Sequence, residues 1–146
     1  MKISIGCDKA GTAFVERICK ELEDKGVGFN VLFDGKEDGC DYTDAAFKVA
    51  NSVADGQYDL GILICGTGIG MSIAANKVKG IRAAVCSDTF SAKMTRVHNN
   101  ANILCMGARV IGEELAVCIL HEFISAEFET GGRHERRVNK IIAAEK

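Results

Sequence analysis

A chain of 146 residues, 47% hydrophobic and 26% charged, suffices for one domain with a substantial core. Its formal net charge of −2 excludes a strongly basic nucleic-acid binder. No apolar run approaches the roughly 20 residues of a membrane span. The apolar stretch in MKISIGCDKAG is too short for a secretory signal, so the chain is expected in the cytoplasm. The seven cysteines form no CxxC pair or zinc-ribbon spacing and are expected as free thiols, mostly small buried hydrophobes.

In chain order, Lys2–Gly6 predicts a first strand. A helix follows with Phe14, Ile18 and Leu22 on one face, stopped by Gly26. Val27–Phe33 predicts a second strand. Thr43 and Asp44 are candidate caps for a helix whose Ala46, Val49, Ala50 and Val53 share a face. Leu60–Cys65 is a continuous apolar run, the signature of a strand buried on both faces. A third helix carries Met71, Ala74, Ala75 and Val78. Ile81–Cys86 predicts strand four, with Ser87-Asp88-Thr89 as the cap of a helix ending at His98-Asn99-Asn100. Asn102–Met106 predicts strand five. Leu115, Cys118, Ile119 and Phe123 form the stripe of the next helix. A last helix after Gly131-Gly132 carries Val138, Ile141 and Ile142.

Strands alternating with helices predict an α/β fold: a Rossmann-like three-layer sandwich with a five-stranded parallel sheet and a C-terminal helix, one domain over 1–146. Such folds place their site at the carboxyl ends of the strands. Cys7-Asp8-Lys9, Cys65-Gly66-Thr67, Cys86-Ser87-Asp88 and the loop before strand five are expected there.

The stretch ICGTGIGM, residues 64–71, joins the third strand to a helix. A dinucleotide fingerprint would be GxGxxG after the first strand, with an acid about 20 residues on. Here the spacing is GxGxG, with Met71 in the sixth position, although Asp88 could mimic the ribose-binding acid. A phosphate loop of the Walker type fails, because no GK[ST] follows. The same backbone N–H groups could instead stabilise an oxyanion formed during a reaction. Cys65 sits immediately before them, where a thiolate is favoured and can act as base or nucleophile.

Arg133 and Arg137, four apart, share a helix face and suit a phosphate, although spacing alone fits a solvated basic helix equally. Arg109 is a further candidate cation. His98 reads as a helix C-cap or a catalyst; His121 and His134 carry no signal beyond their helices. Asp8 could bind sugar hydroxyls or cap the first helix. A metal site from Cys7, Cys65, Cys86 and His98 has no supporting ligand spacing.

Together GCDKAG at 6–11, DYTDAAFKVA at 41–50, ICGTGIGMSIAANKVKGIRAAVC at 64–86, HNNANILCMGARVIG at 98–112 and GGRHERRV at 131–138 resemble one family over nearly the whole chain. That family is the B-type ribose-5-phosphate isomerases with the galactose-6-phosphate isomerase subunits. The resemblance implies aldose–ketose isomerisation of a sugar phosphate, ribose 5-phosphate to ribulose 5-phosphate, without metal or cofactor. It implies Cys65 as the base between C1 and C2. Gly66, Thr67, Gly68, Ile69 and Gly70 form the enediolate cradle, with Thr67 grouped with the catalytic residues, and His98 opens the furanose ring. Asp8, Lys9, Tyr42 and Asn99 would meet the sugar, and Arg109, Arg133 and Arg137 the phosphate. It also implies a homodimer or homotetramer with the site shared between subunits. Lys9 stands where the B-type pattern GxDHAG has histidine, and Thr43 and Lys79 replace family prolines. A six-carbon sugar phosphate is the alternative substrate, and a non-enzymatic nucleotide or sugar-phosphate binder the alternative class.

Overall fold

The computed structural model describes residues 1–39 and 41–145; Cys40, among the thiols considered above, lies outside them. Five strands form one sheet in the order β2-β1-β3-β5-β4: β1 Lys2–Cys7, β2 Gly28–Phe33, β3 Leu60–Cys65, β4 Ala83–Val85 and β5 Ile103–Gly107. All four pairings are parallel. The helices are α1 Thr12–Asp24, α2 Tyr42–Ala54, α3 Ile69–Ala75, α4 Thr89–Asn99, α5 Glu113–Ser125 and α6 Arg133–Ala143.

Alternation along the central strands explains the three layers. Ile3, Ile5 and Cys7 of β1, with Ile62 and Ile64 of β3, pack against Ile18 and Leu22 of α1 and Ile119 and Phe123 of α5. Leu63 and Cys65 face the other way, onto Val49 of α2 and Met71 of α3. Ser4, fully buried on that second face, accepts a hydrogen bond from Ser52 Oγ of α2 at 3.1 Å. Among the described residues no helix is long and apolar enough to cross a membrane.

Several expectations shift. Asp41, not Thr43 or Asp44, caps α2: its carboxylate accepts the Thr43 N–H at 2.9 Å, while Asp44 returns the bond to the Asp41 N–H. The third helix ends before Val78, because the Asn76 side chain turns to bracket Ala83 with two 2.8 Å bonds. On α5 the buried face is Ala116, Val117, Ile119, Leu120 and Phe123; Leu115 and Cys118 point outward. On α6 only His134 and Val138 are buried, leaving Ile141 and Ile142 exposed. On α5 and α6 periodicity gave the helix, but which face was buried was decided by packing, on α6 against α4.

The largest correction concerns the loop before β5. In a parallel sheet each crossover helix carries the chain back to the amino edge. His98 and Asn99 close α4, so they lie at the amino edge, about 17 Å of strand away from the carboxyl edge.

Candidate active site

The carboxyl edge builds the first group of site residues. Asp8, Tyr42, Cys65, Gly66, Thr67, Ile69 and Gly70 line an open cleft of about 390 Å³. Gly68 adopts φ +77°, and a Cβ there would lie 2.9 Å from the Met106 carbonyl carbon, so the loop folds tightly onto the end of β5. That fold turns the Gly68 N–H toward Cys65 Sγ, which accepts it at 3.1 Å. Thr67 Oγ1 accepts the Ile69 N–H at 3.3 Å. A Cβ on Gly70 would sit 2.7 Å from the Tyr42 ring, so glycine here is what lets Tyr42 roof the cleft.

Four other thiols are pushed toward the protonated form. Burial pushes Cys7, Cys19 and Cys86 up to about 11 and raises Cys105 well above its ordinary value. Among the described thiols, Cys65 combines a cleft with a backbone donor on its sulfur.

Asp8 uses one carboxylate oxygen to cap the turn at Lys9–Gly11, accepting the Ala10 N–H at 2.9 Å, and still lines the cleft. Lys9 points away to Asp38, 3.2 Å from its Nζ, and does not line the cleft. Arg109, exposed beyond β5, lies beside Gly66: a Cβ on that glycine would be 3.5 Å from its guanidinium. Asp88 caps α4, accepting the Ser91 N–H at 2.7 Å, and does not line the cleft.

The amino edge builds the second group. The rings of His98 and His134 stack in parallel, with centroids 4.0 Å apart and 5° between planes. Arg133 Nε donates to His134 Nε2 at 3.3 Å, and Arg137 sits one turn along the same helix. His134 is 7% exposed. Burial first, then the neighbouring His98, Arg133 and Arg137, hold its pKa below the ordinary value, against the opposing pull of Glu129. His98, Glu129 and His134 bring possible ligand atoms within 4.8 Å of one another. Imidazole lone pairs lie in the ring plane, so two parallel stacked rings cannot both aim at one ion. Asn99 is exposed on the groove beside α6.

None of His98, Asn99, Arg133 or Arg137 lines the Cys65 cleft. His134 was missed in the sequence, because its signal is a contact between α4 and α6 that no local spacing encodes.

The chain matches the sequence model described as Ribose/Galactose Isomerase over residues 3–141. It is 46% identical over 144 residues to "Ribose-5-phosphate isomerase B" of Escherichia coli, covering 99% of this chain and 96% of that protein. It is also 46% identical to "D-erythrulose-4-phosphate isomerase" of Pectobacterium atrosepticum, covering 90% and 88%. The structure of Clostridium thermocellum ribose-5-phosphate isomerase B superposes with a TM-score of 0.93 at 48% identity, covering 98% and 96%. That of the Mycoplasma genitalium isomerase B with bound ribulose 5-phosphate gives 0.91 at 41%, covering 97% and 94%.

Proposed function

Because the chain belongs to the ribose/galactose isomerase family, we propose that it interconverts ribose 5-phosphate and ribulose 5-phosphate, with no metal or cofactor. The observation that carries this reading is the Gly68 N–H donated to Cys65 Sγ at 3.1 Å inside an open cleft. A base and backbone donors set side by side are what proton abstraction next to a carbonyl needs.

In the proposed reaction His98 withdraws the O1 proton of the furanose while O4 is protonated, opening the ring. Cys65 as thiolate then takes the C2 proton. The negative charge passes to O1 of a cis-enediolate, held by N–H groups of residues 66–70. The proton returns from sulfur to C1, and the O2 proton moves to O1, leaving the ketone at C2. Thr67 serves the oxygen protons, Asp8, Tyr42 and Asn99 meet the sugar hydroxyls, and Arg109, Arg133 and Arg137 hold the phosphate.

Separation of the two groups by the length of the sheet supports a site assembled from two chains. The carboxyl edge of one subunit would receive His98, Asn99, Arg133 and Arg137 of a second, in a homodimer or a homotetramer built from it. We place the enzyme in the cytoplasm.

Chelator-treated protein should convert ribose 5-phosphate, and Cys65→Ala should lose at least about 10³-fold in kcat with an unchanged circular-dichroism spectrum. Full activity in that variant would sink the mechanism. The equal identity to a four-carbon isomerase motivates a panel of four-, five- and six-carbon aldose phosphates. Ribose 5-phosphate should give the highest kcat/KM. Binding without turnover of any of them would leave a binding module instead.

A further inference from the structure

The turn after His98-Asn99 is held more elaborately than a helix end requires. Asn100 takes φ 48°, the one positive-φ non-glycine among the described residues. Its N–H donates to the Arg96 carbonyl and that of Ala101 to the Thr95 carbonyl, which already satisfies the end of α4. The next two carbonyls each receive a guanidinium. Arg82 Nε donates to the Asn100 carbonyl at 2.8 Å, and Arg96 Nη1 to the Ala101 carbonyl at 2.6 Å. Asn102 locks the base of this arrangement, accepting the Arg82 N–H and donating to the Gly80 carbonyl, both at 2.8 Å.

This arrangement is costly. Both arginines are half-buried, and burial pushes both pKa values down; the charge of Arg82 lowers that of Arg96 further. Arg96 Nε is buried without a partner. Among the described residues neither guanidinium lies within ion-pairing distance of a carboxylate. Glu145, whose charge reaches Arg82, gives its carboxylate to the Gly80 N–H. Arg96 also lies over the Phe123 ring at 5.5 Å, which fixes it to α5. Two like charges brought together in a low-dielectric setting oppose folding. A left-handed Asn cap alone would end the helix without them.

We propose that Arg82 and Arg96 are positioning residues for ring opening: by gripping the Asn100 and Ala101 carbonyls they fix the turn that closes α4, and with it the direction in which His98 and Asn99, in its last turn, face the second subunit. The inference rests on the assignment of His98 to ring opening given above. Neither arginine lines the Cys65 cleft. Each acts through the backbone of the residues that follow His98-Asn99.

The substrate pair separates this role from a merely structural one. Ribose 5-phosphate cyclises through O4, whereas ribulose 5-phosphate cannot form a furanose because its O5 carries the phosphate. Exchange of the ribulose 5-phosphate C1 proton with deuterated solvent therefore needs Cys65 but no ring opening. Conversion of ribose 5-phosphate needs both. Arg82→Lys, Arg82→Gln, Arg96→Lys and Arg96→Gln should each lower conversion by about tenfold or more while exchange stays within about twofold of the parent. The ratio of the two rates is independent of how much of each preparation folds. Equal loss of both rates, or no loss of conversion, would overturn the role. Two controls test the underlying reading: Cys65→Ala should abolish both, and His98→Ala should reproduce the selective loss. If His98→Ala slows both alike, the ring-opening assignment fails and this inference falls with it.

Discussion

At Cys65 the decisive contact is with its own loop, three residues on. The sulfur lies at the end of a fully buried strand, yet it faces a cleft and receives the Gly68 N–H. Gly68→Ala should show how far this geometry depends on one backbone conformation. A left-handed alanine costs about 1–2 kcal/mol, and its Cβ would press on the Met106 backbone 2.9 Å away. Relief requires the loop to lift, which moves the N–H off the sulfur. We expect kcat to fall about 10²-fold, with a KM that changes much less, in steady-state kinetics on folded protein. The motif CGTG was legible as a thiol beside a cradle. That the third glycine serves the Tyr42 ring was not, because that contact joins residues 28 positions apart.

Elements are fixed by their ends as much as by their faces. Asp41 and Asp44 form a reciprocal cap on α2, the helix that carries Tyr42 into the cleft. Asp41→Ala should cost about 1 kcal/mol, seen in thermal unfolding as a drop of about 2–4 °C. Hydrogen bonds from Thr43 hold the Asp41 pKa below its ordinary value, so this cap contributes fully at neutral pH and weakens only in strong acid. The α4–α6 contact titrates in a different window. The folded pKa of His134 is depressed, so the unfolded chain takes up its proton first as pH falls below about 6.5. Stability from this contact should therefore be complete above that pH and decline below it. Thermal unfolding at pH 7.5 and 5.5 should show the decline, and His134→Gln should flatten it. Helix existence and the burial of Ile18, Leu22, Val49 and Phe123 followed from periodicity. The outward turn of Leu115 and Cys118 did not: a helix with apolar residues around most of its girth has no preferred face until its neighbours are in place, and the exposure of Ile141 and Ile142 follows from where α6 meets α4.

The whole molecule carries its two sets of candidate site residues on opposite edges of one sheet. If a second chain joins them, two inactive variants should complement each other. In a dimer of Cys65→Ala with His98→Ala, one site collects both defects and the other collects neither. Random reassortment of equal amounts should restore about a quarter of parental activity, measured after mixing under conditions that exchange subunits. Retained inactivity, with exchange verified by mass spectrometry, would place both residues in one chain's site.

Length, alternation and the glycine stretch determined an α/β fold with a thiol at the end of a central strand, because those features depend on near neighbours in sequence. The tertiary structure alone decided that His134 stacks on His98 and that the Tyr42 ring lies against Gly70. Both contacts join residues far apart in sequence, so they depend on how the helices pack and not on any local spacing; in a parallel sheet, by contrast, a residue before a strand stands at its amino edge and one after it at its carboxyl edge.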